Sequence, residues 1–242
     1  MHFINWQRDI TIEEFQGRKV VIKRNKSTRI FHEYLLCVTY SLISILLAHP
    51  SSPPSFGFTT IENESLRMRS RLNNLGIKTP DLISLSESSL VEEFIEKGDL
   101  YRTFSTGNLE DVASLAFQAG TLTGRLHNSG YSFIDNKCQN YLVASDQSLV
   151  RTDLAFTQKK RSVFSQSMDV GSFLASVIDL NKSRYIVIEN CFLRGYVNET
   201  KQPFPYLSII LRNLLALGFS SNHDFMFTNM LLRSNKKCAV TS

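Results

Sequence analysis

The period of the apolar pattern changes part-way along this chain, and that change bounds the fold more tightly than any other feature of the sequence. Residues 9–23 (DITIEEFQGRKVVIK) alternate polar and apolar about Gln16 and Gly17, which reads as a hairpin whose second strand ends at Lys23. LISL and LVEEFI, residues 82–85 and 90–95, read as two further strands around a Ser-rich turn. Beyond residue 98 the period becomes helical. Residues 112–128 (VASLAFQAGTLTGRLHN) form a helical pattern that stops before Gly130, and helices are expected again at 168–180, 182–195 and 206–217. The expectation is an α+β chain of two lobes: a small β-rich N-lobe over residues 1–97 and a helical C-lobe over 98–242.

Several segments interrupt this scheme. Residues 30–48 predict a long apolar helix, and the Pro/Ser/Gly-rich run HPSSPPSFGF, residues 49–58, cannot be helical. Residues 64–75 carry Leu66, Met68, Leu72 and Leu75 near helical spacing, with Gly76 as the stop. Residues 141–143 and 149–151 read as short strands flanking Asp146 and Gln147, a hairpin that delivers Asp153. Residues 220–242 carry no readable pattern.

At 242 residues, 43% apolar and 20% charged, the composition is globular. The net charge of +5 suits a nucleotide phosphate, an anionic membrane surface or nucleic acid. The basic residues are scattered, with short clusters only at residues 19–26 and 159–161, so no dedicated nucleic-acid stripe is evident. Cys37, Cys138, Cys191 and Cys238 show neither C-x2-C spacing nor paired histidines, which argues against zinc and against a disulfide framework and leaves reduced, packed thiols. The apolar run 34–48 falls short of the roughly 20 residues that span a bilayer. It reads as a buried or a membrane-surface helix, hence a cytoplasmic protein with membrane association as an alternative.

Five polar positions carry chemistry. Asp135 and Asn140 stand five apart in IDNKCQN, and Asp153 follows thirteen residues later in RTDLAF, after an apolar run. Upstream, Lys23 ends a strand and Glu64 opens a helical run. A lysine on a strand, a glutamate on a helix, then Asp, Asn and Asp is an order that phosphoryl transfer uses. Each piece has a plainer reading: Asp135, Asn140 and Asp153 as turn residues, Lys23 as a solvated strand-end charge, Glu62 in place of Glu64, and His127 as a packed structural residue.

With these residues in view, the chain resembles a minimal member of the protein-kinase-like superfamily, closest in pattern to the atypical kinase subunit of the KEOPS complex and to the RIO and lipopolysaccharide-core kinases. The resemblance is carried by Glu64 followed by GIKTP (residues 76–80), by LVEEFIEKGDL (90–100), by GTLTGRLHNSGYSFIDNKCQN (120–140) and by MDVGSF (168–173). FLRGY, residues 192–196, is also similar to a helix-end motif of small-molecule phosphotransferases and lipopolysaccharide kinases. The resemblance to the kinase-like superfamily implies an ATP-dependent phosphotransferase acting on a protein Ser/Thr, sugar or lipid-linked hydroxyl. Asp135 would orient the acceptor hydroxyl and take its proton, and Lys137 would neutralise the moving phosphoryl group. Asn140 and Asp153 would hold Mg²⁺. Lys23, fixed by Glu64, would hold the α- and β-phosphates, and backbone groups from Glu92 through Phe94 to Ile95 would hydrogen-bond the adenine edge. Asp169 would brace the loop.

The chain departs from the family's pattern in four places. No G-x-G-x-x-G precedes Lys23, Phe133 stands where a polar residue is usual, the metal motif reads Asp-Leu-Ala, and no A-P-E follows Asp153. Those departures keep a catalytically weak pseudokinase, acting as a binding or scaffold module, as the alternative.

Overall fold

The computed structural model describes residues 8–219 and 222–234. β1 (Arg8–Phe15) and β2 (Arg18–Asn25) pair antiparallel from Arg8 opposite Asn25 to Phe15 opposite Arg18. Their two-residue turn has Gln16 at φ 51° and Gly17 at φ 73°, the left-handed pair whose twist matches that of the flanking strands. α1 (Arg29–Leu46), α2 (Phe58–Asn63) and α3 (Leu66–Asn74) then precede β3 (Leu82–Leu85) and β4 (Ser89–Glu93). The four strands form one antiparallel sheet in the order β1-β2-β4-β3.

The remainder is mostly helical, so the chain is α+β with a small antiparallel sheet in its N-terminal region, an arrangement consistent with two lobes. α4 (Leu100–Thr106) and α5 (Leu109–Asn128) come first. Then follow β5 (Tyr131–Ser132), a single 3₁₀ turn over Cys138–Asn140, and the hairpin of β6 (Tyr141–Val143) and β7 (Leu149–Arg151). β8 (Gln158–Lys159) pairs back with β5. α6 (Val163–Ala175), α7 (Lys182–Thr200), α8 (Ser208–Phe219) and α9 (His223–Ser234) complete the described chain.

α5 starts where Asn108 accepts from the Asp111 N–H at 2.8 Å, with Glu110 and Asp111 in its first turn and Arg125 and His127 in its last, all favourable to the helix dipole. It crosses α7 at backbone contact. A Cβ on Gly120 would lie 2.0 Å from the Phe192 carbonyl oxygen, and one on Gly195 would lie 2.2 Å from that of Phe117, so glycine at both positions permits the approach. Phe173 stacks on Phe192 at 4.1 Å between ring centres, inside a core that includes Leu115, Ala119 and Ile188. α6 begins five residues earlier than its apolar pattern indicates, because Ser162 and Ser165 form a reciprocal cap at its N-terminus. The helix expected over 64–75 is broken at Ser65, whose extended ψ of 166° separates α2 from α3 and leaves Glu64 at the junction. Residues 223–234, unreadable in sequence, form α9, whose Asn229 side chain donates to the carbonyls of Ile178 and Leu180 at 2.8 and 2.9 Å.

α1 is built with its polar stripe inward. Arg29, Glu33, Cys37, Tyr40 and Ser44 are its buried residues, and they clasp the linker that follows. Glu33 accepts from Arg29 at 2.7 Å, from the Thr60 hydroxyl at 2.9 Å and from the Gly57 N–H at 2.7 Å, while Tyr40 bonds Ser51 at 3.0 Å. Tyr40 also meets the edge of Phe164 at 4.9 Å, so α1 packs against α6 and α8 instead of the sheet. Cys37, Cys138 and Cys191 are free thiols, and burial pushes the first two up. Cys238 lies outside the described residues.

Candidate functional site

The loop from Phe133 to Asn140 is held from beneath by a single buried carboxylate. Asp169, on α6, accepts from the backbone N–H groups of Phe133 at 2.7 Å and Ile134 at 2.6 Å, and from His127 Nε2 at 2.9 Å. The Tyr196 hydroxyl lies 2.9 Å from His127 Nδ1. These bonds hold Ile134 at φ 68°, a left-handed conformation that a β-branched residue adopts only under constraint, at about 1–3 kcal/mol. Asn136, also buried, donates to Thr123 at 3.1 Å and accepts from Tyr141 at 2.7 Å. Asp135 stands between these two anchors, half-buried, with the Lys137 ammonium 3.0 Å from its carboxylate.

Asn140 closes the loop, its side-chain N–H donating to the Asp135 carbonyl at 2.9 Å. Arg151 locks the closure from inside. It donates to the Asp135 carbonyl at 2.8 Å and the Asn140 carbonyl at 2.9 Å, and its guanidinium lies over the Phe133 and Tyr141 rings at 4.4 and 5.0 Å. Phe133 is therefore one of the faces on which Arg151 rests. The Thr152 N–H donates to the Asn140 carbonyl at 3.0 Å, which brings the end of β7 beside the loop and puts Asp153 next in line.

Asp153 is itself left-handed, at φ 56°. Its side chain makes no hydrogen bond or ion pair with any described residue. Burial pushes its carboxyl up, but the cations Arg8, Lys23, Arg151 and Lys137 outweigh that and hold it below the usual carboxylate range. It is an ionised carboxylate in a cationic field with its oxygens uncommitted. Asn140 likewise keeps its amide oxygen once its N–H is used. No three His, Cys, Asp or Glu side chains among the described residues form a metal-binding group. Two hard oxygens would suffice for Mg²⁺ that arrives with phosphate oxygens and waters, and the Asn140 amide oxygen and the Asp153 carboxylate are oxygen donors of that chemical kind.

Lys23 is buried, 7% exposed, and its ammonium forms an ion pair with Glu92 and donates to the Thr152 hydroxyl at 2.7 Å. Arg69 reaches the other Glu92 oxygen at 3.0 Å. This corrects two sequence expectations. Glu64 does not fix Lys23: it pairs with Arg8, one of whose nitrogens donates to it at 2.9 Å, because the break at Ser65 turns Glu64 toward the start of β1. Glu92 is not a free hinge residue: it lies within β4, opposite Val21 of β2 and Leu82 of β3, with its ladder groups between two strands and its carboxylate on Lys23. Burial pushes the Glu92 carboxyl up, yet Lys23 and Arg69 together hold it below its ordinary value. Phe94 and Ile95 do lie past the strand end, where the chain crosses to the helical region, and the Val143 N–H donates to the Gly98 carbonyl at 2.9 Å.

Arg8, Arg69, Arg151 and Thr152 are the members that sequence reasoning missed. Glu92 had a legible signal, since it shares the period-2 face of β4 with buried Leu90. Arg151 sits in an apolar strand just before Asp153, where a charge needs a buried task. No protein-family model matches the chain, and no curated protein matches it.

Proposed function

We propose that this chain is an ATP-dependent phosphotransferase of the protein-kinase-like kind, with residues 1–97 and 98–242 as its two lobes. The observation that carries the reading is Asp153: an ionised, unbonded carboxylate, held in a strained backbone conformation, one residue beyond Thr152, which is bonded to Asn140. A plain turn aspartate has no reason to stand among four cations without pairing to any of them. Asp135, braced through Ile134 and Asp169, aligns an acceptor hydroxyl and receives its proton. Lys137 offsets charge on the group in transit. Asn140 and Asp153 are the residues that would hold Mg²⁺, which when bound neutralises phosphate oxygens. Phe94 and Ile95 offer main-chain groups beside the base. The acceptor is a protein Ser/Thr, a sugar or a lipid-linked hydroxyl, and the free cysteines fit a reducing, cytoplasmic setting.

One observation favours the second reading, a non-catalytic kinase-like module. Lys23 is committed to Glu92 and Thr152 and is nearly closed to solvent, so it must leave Thr152 or shift along Glu92 before it can reach a phosphate. Calorimetric titration of the full chain with ATP, with and without Mg²⁺, separates the two. The phosphotransferase reading predicts metal-dependent binding that Asp153→Asn weakens. Absence of any nucleotide binding would leave the module reading in its place.

A further inference from the structure

We infer that the outer face of α1 docks on an anionic lipid surface, with the helix lying in the plane of the interface. α1 buries its polar stripe, so its apolar residues face out: Phe31, Tyr34, Leu35, Leu42, Ile45 and Leu46 are all exposed, Phe31 at 66%, Ile45 at 64% and Leu46 at 81%. Its charges Arg29 and Glu33 are buried and paired to each other at 2.7 Å, and the outward face carries none. Phe56 and Phe58 extend the apolar surface from the linker, Phe56 meeting Tyr34 at 6.2 Å between ring centres. The neighbouring α8 adds Ile210, Leu214 and Leu217 at helical spacing, all exposed, and Tyr206 before it bonds His49 just past the end of α1. A monomer rarely leaves this much contiguous apolar surface in water.

Two features choose lipid over a protein partner. Protein interfaces are fixed by polar rims and roughly one hydrogen bond per 100–200 Å², whereas this face offers little beyond the Thr39 and Tyr34 hydroxyls. The charge beside it is basic: Gln158 accepts from the Ser55 N–H at 3.5 Å, next to Phe56 at the edge of the apolar surface, and exposed Lys159 and Arg161 follow it in the chain, which suits anionic headgroups. Length alone would let α1 cross a bilayer, but its inner stripe is bonded to the linker and to Phe164, so crossing would strip a buried ion pair of its partners. Lying flat keeps every one of those bonds. Ala155 and Phe156 share a cluster with Tyr40 on the inner face of α1, so the helix that docks rests, through its other face, on the segment that carries Asp153. The inference does not depend on phosphoryl transfer.

The test is co-sedimentation of the full chain with phosphatidylcholine vesicles, with and without phosphatidylglycerol, alongside sedimentation equilibrium without lipid. The wild type is expected to pellet with the anionic vesicles. The triple variant Leu35→Gln, Leu42→Gln, Ile45→Gln should lose roughly tenfold or more of its partition coefficient, with an unchanged urea melt because the residues face solvent. Leu46→Gln alone should weaken binding in the same direction. Lys159→Gln with Arg161→Gln should weaken binding to anionic vesicles and leave neutral ones unaffected. A wild type that stays in the supernatant with both lipids, or a triple variant that binds as well as wild type, overturns the inference. So does a wild-type dimer that the triple variant converts to monomer without any vesicle binding, which would assign the face to a second copy.

Discussion

Replacing Glu92 by Leu tests the buried ion cluster that joins the sheet to the β6–β7 hairpin. The substitution removes the carboxylate between Lys23 and Arg69, both buried. The two cations are not equally stranded. Arg69 keeps the Glu64 and Pro80 carbonyls at 3.0 and 2.6 Å, while Lys23 keeps only the Thr152 hydroxyl at 2.7 Å. Removing one partner of a buried pair costs about 3–5 kcal/mol, and with Arg69 still bonded the loss should sit near the lower end, about 3 kcal/mol. For a chain of this size that is a fall in Tm of roughly 6–12 °C. The assay is urea unfolding followed by far-UV circular dichroism. Glu92 is held below its ordinary value, so its contribution is present above that value and lost as pH falls through the folded pKa. The gap between variant and wild type should therefore be full at neutral pH and shrink in acid. Adding Lys23→Met should recover most of the loss, since a paired apolar replacement is near neutral. A loss under about 1 kcal/mol at pH 7, the scale of a solvent-exposed pair, would refute the buried cluster.

Gly120→Ala drives a methyl group into the Phe192 carbonyl, so thermal melts should show a loss of about 1–3 kcal/mol or more; an unchanged melt means α5 and α7 do not cross at backbone contact. Asp169→Asn leaves one acceptor oxygen for two backbone N–H donors and His127, which should cost about 1–3 kcal/mol in urea unfolding and free the loop at Ile134; a wild-type melt would remove Asp169 as the brace. Asp153, like Glu92, is held below the ordinary carboxylate value, so wild-type stability should fall as pH drops below about 4. Asp153→Asn should show a shallower acid limb in pH titrations of stability, and an identical limb would count against the cationic field around it.

The parts of this fold that were legible in the sequence are those governed by local period and turn chemistry. The hairpin about Gln16 and Gly17, the body of α5 and the β6–β7 hairpin follow from side-chain alternation, apolar period and turn residues, all of which act over a few positions. The capped first turn of α5 at Asn108–Asp111 lay before the pattern read from the sequence. Asp135, Asn140 and Asp153 came together because the loop and hairpin that carry them are contiguous. The partners of Lys23 and Glu64 were not legible. Which carboxylate meets Lys23 depends on strand order, and β4 lies beside β2 although 63 residues separate Asn25 from Ser89. Ser65 redirected Glu64 by one backbone angle, which no helical periodicity reports. α1 defeated the usual inference from apolarity to burial, because the linker after it and the first turn of α2 supplied polar partners for its inner stripe and left its apolar side outward.

Phosphate transfer from labelled ATP, by the full chain alone and with cell extract or vesicles supplied as acceptor, tests the central claim most directly when Asp135→Asn is run beside the wild type. The substitution is nearly isosteric and keeps the Asp135 main-chain bonds to Asn140 and Arg151, so the fold should persist while the proton acceptor is lost. The account predicts Mg²⁺-dependent labelling by the wild type that falls by roughly 10²–10⁴ in rate in Asp135→Asn. Wild-type labelling no higher than that of Asp135→Asn, with both proteins folded and acceptor supplied, would contradict it.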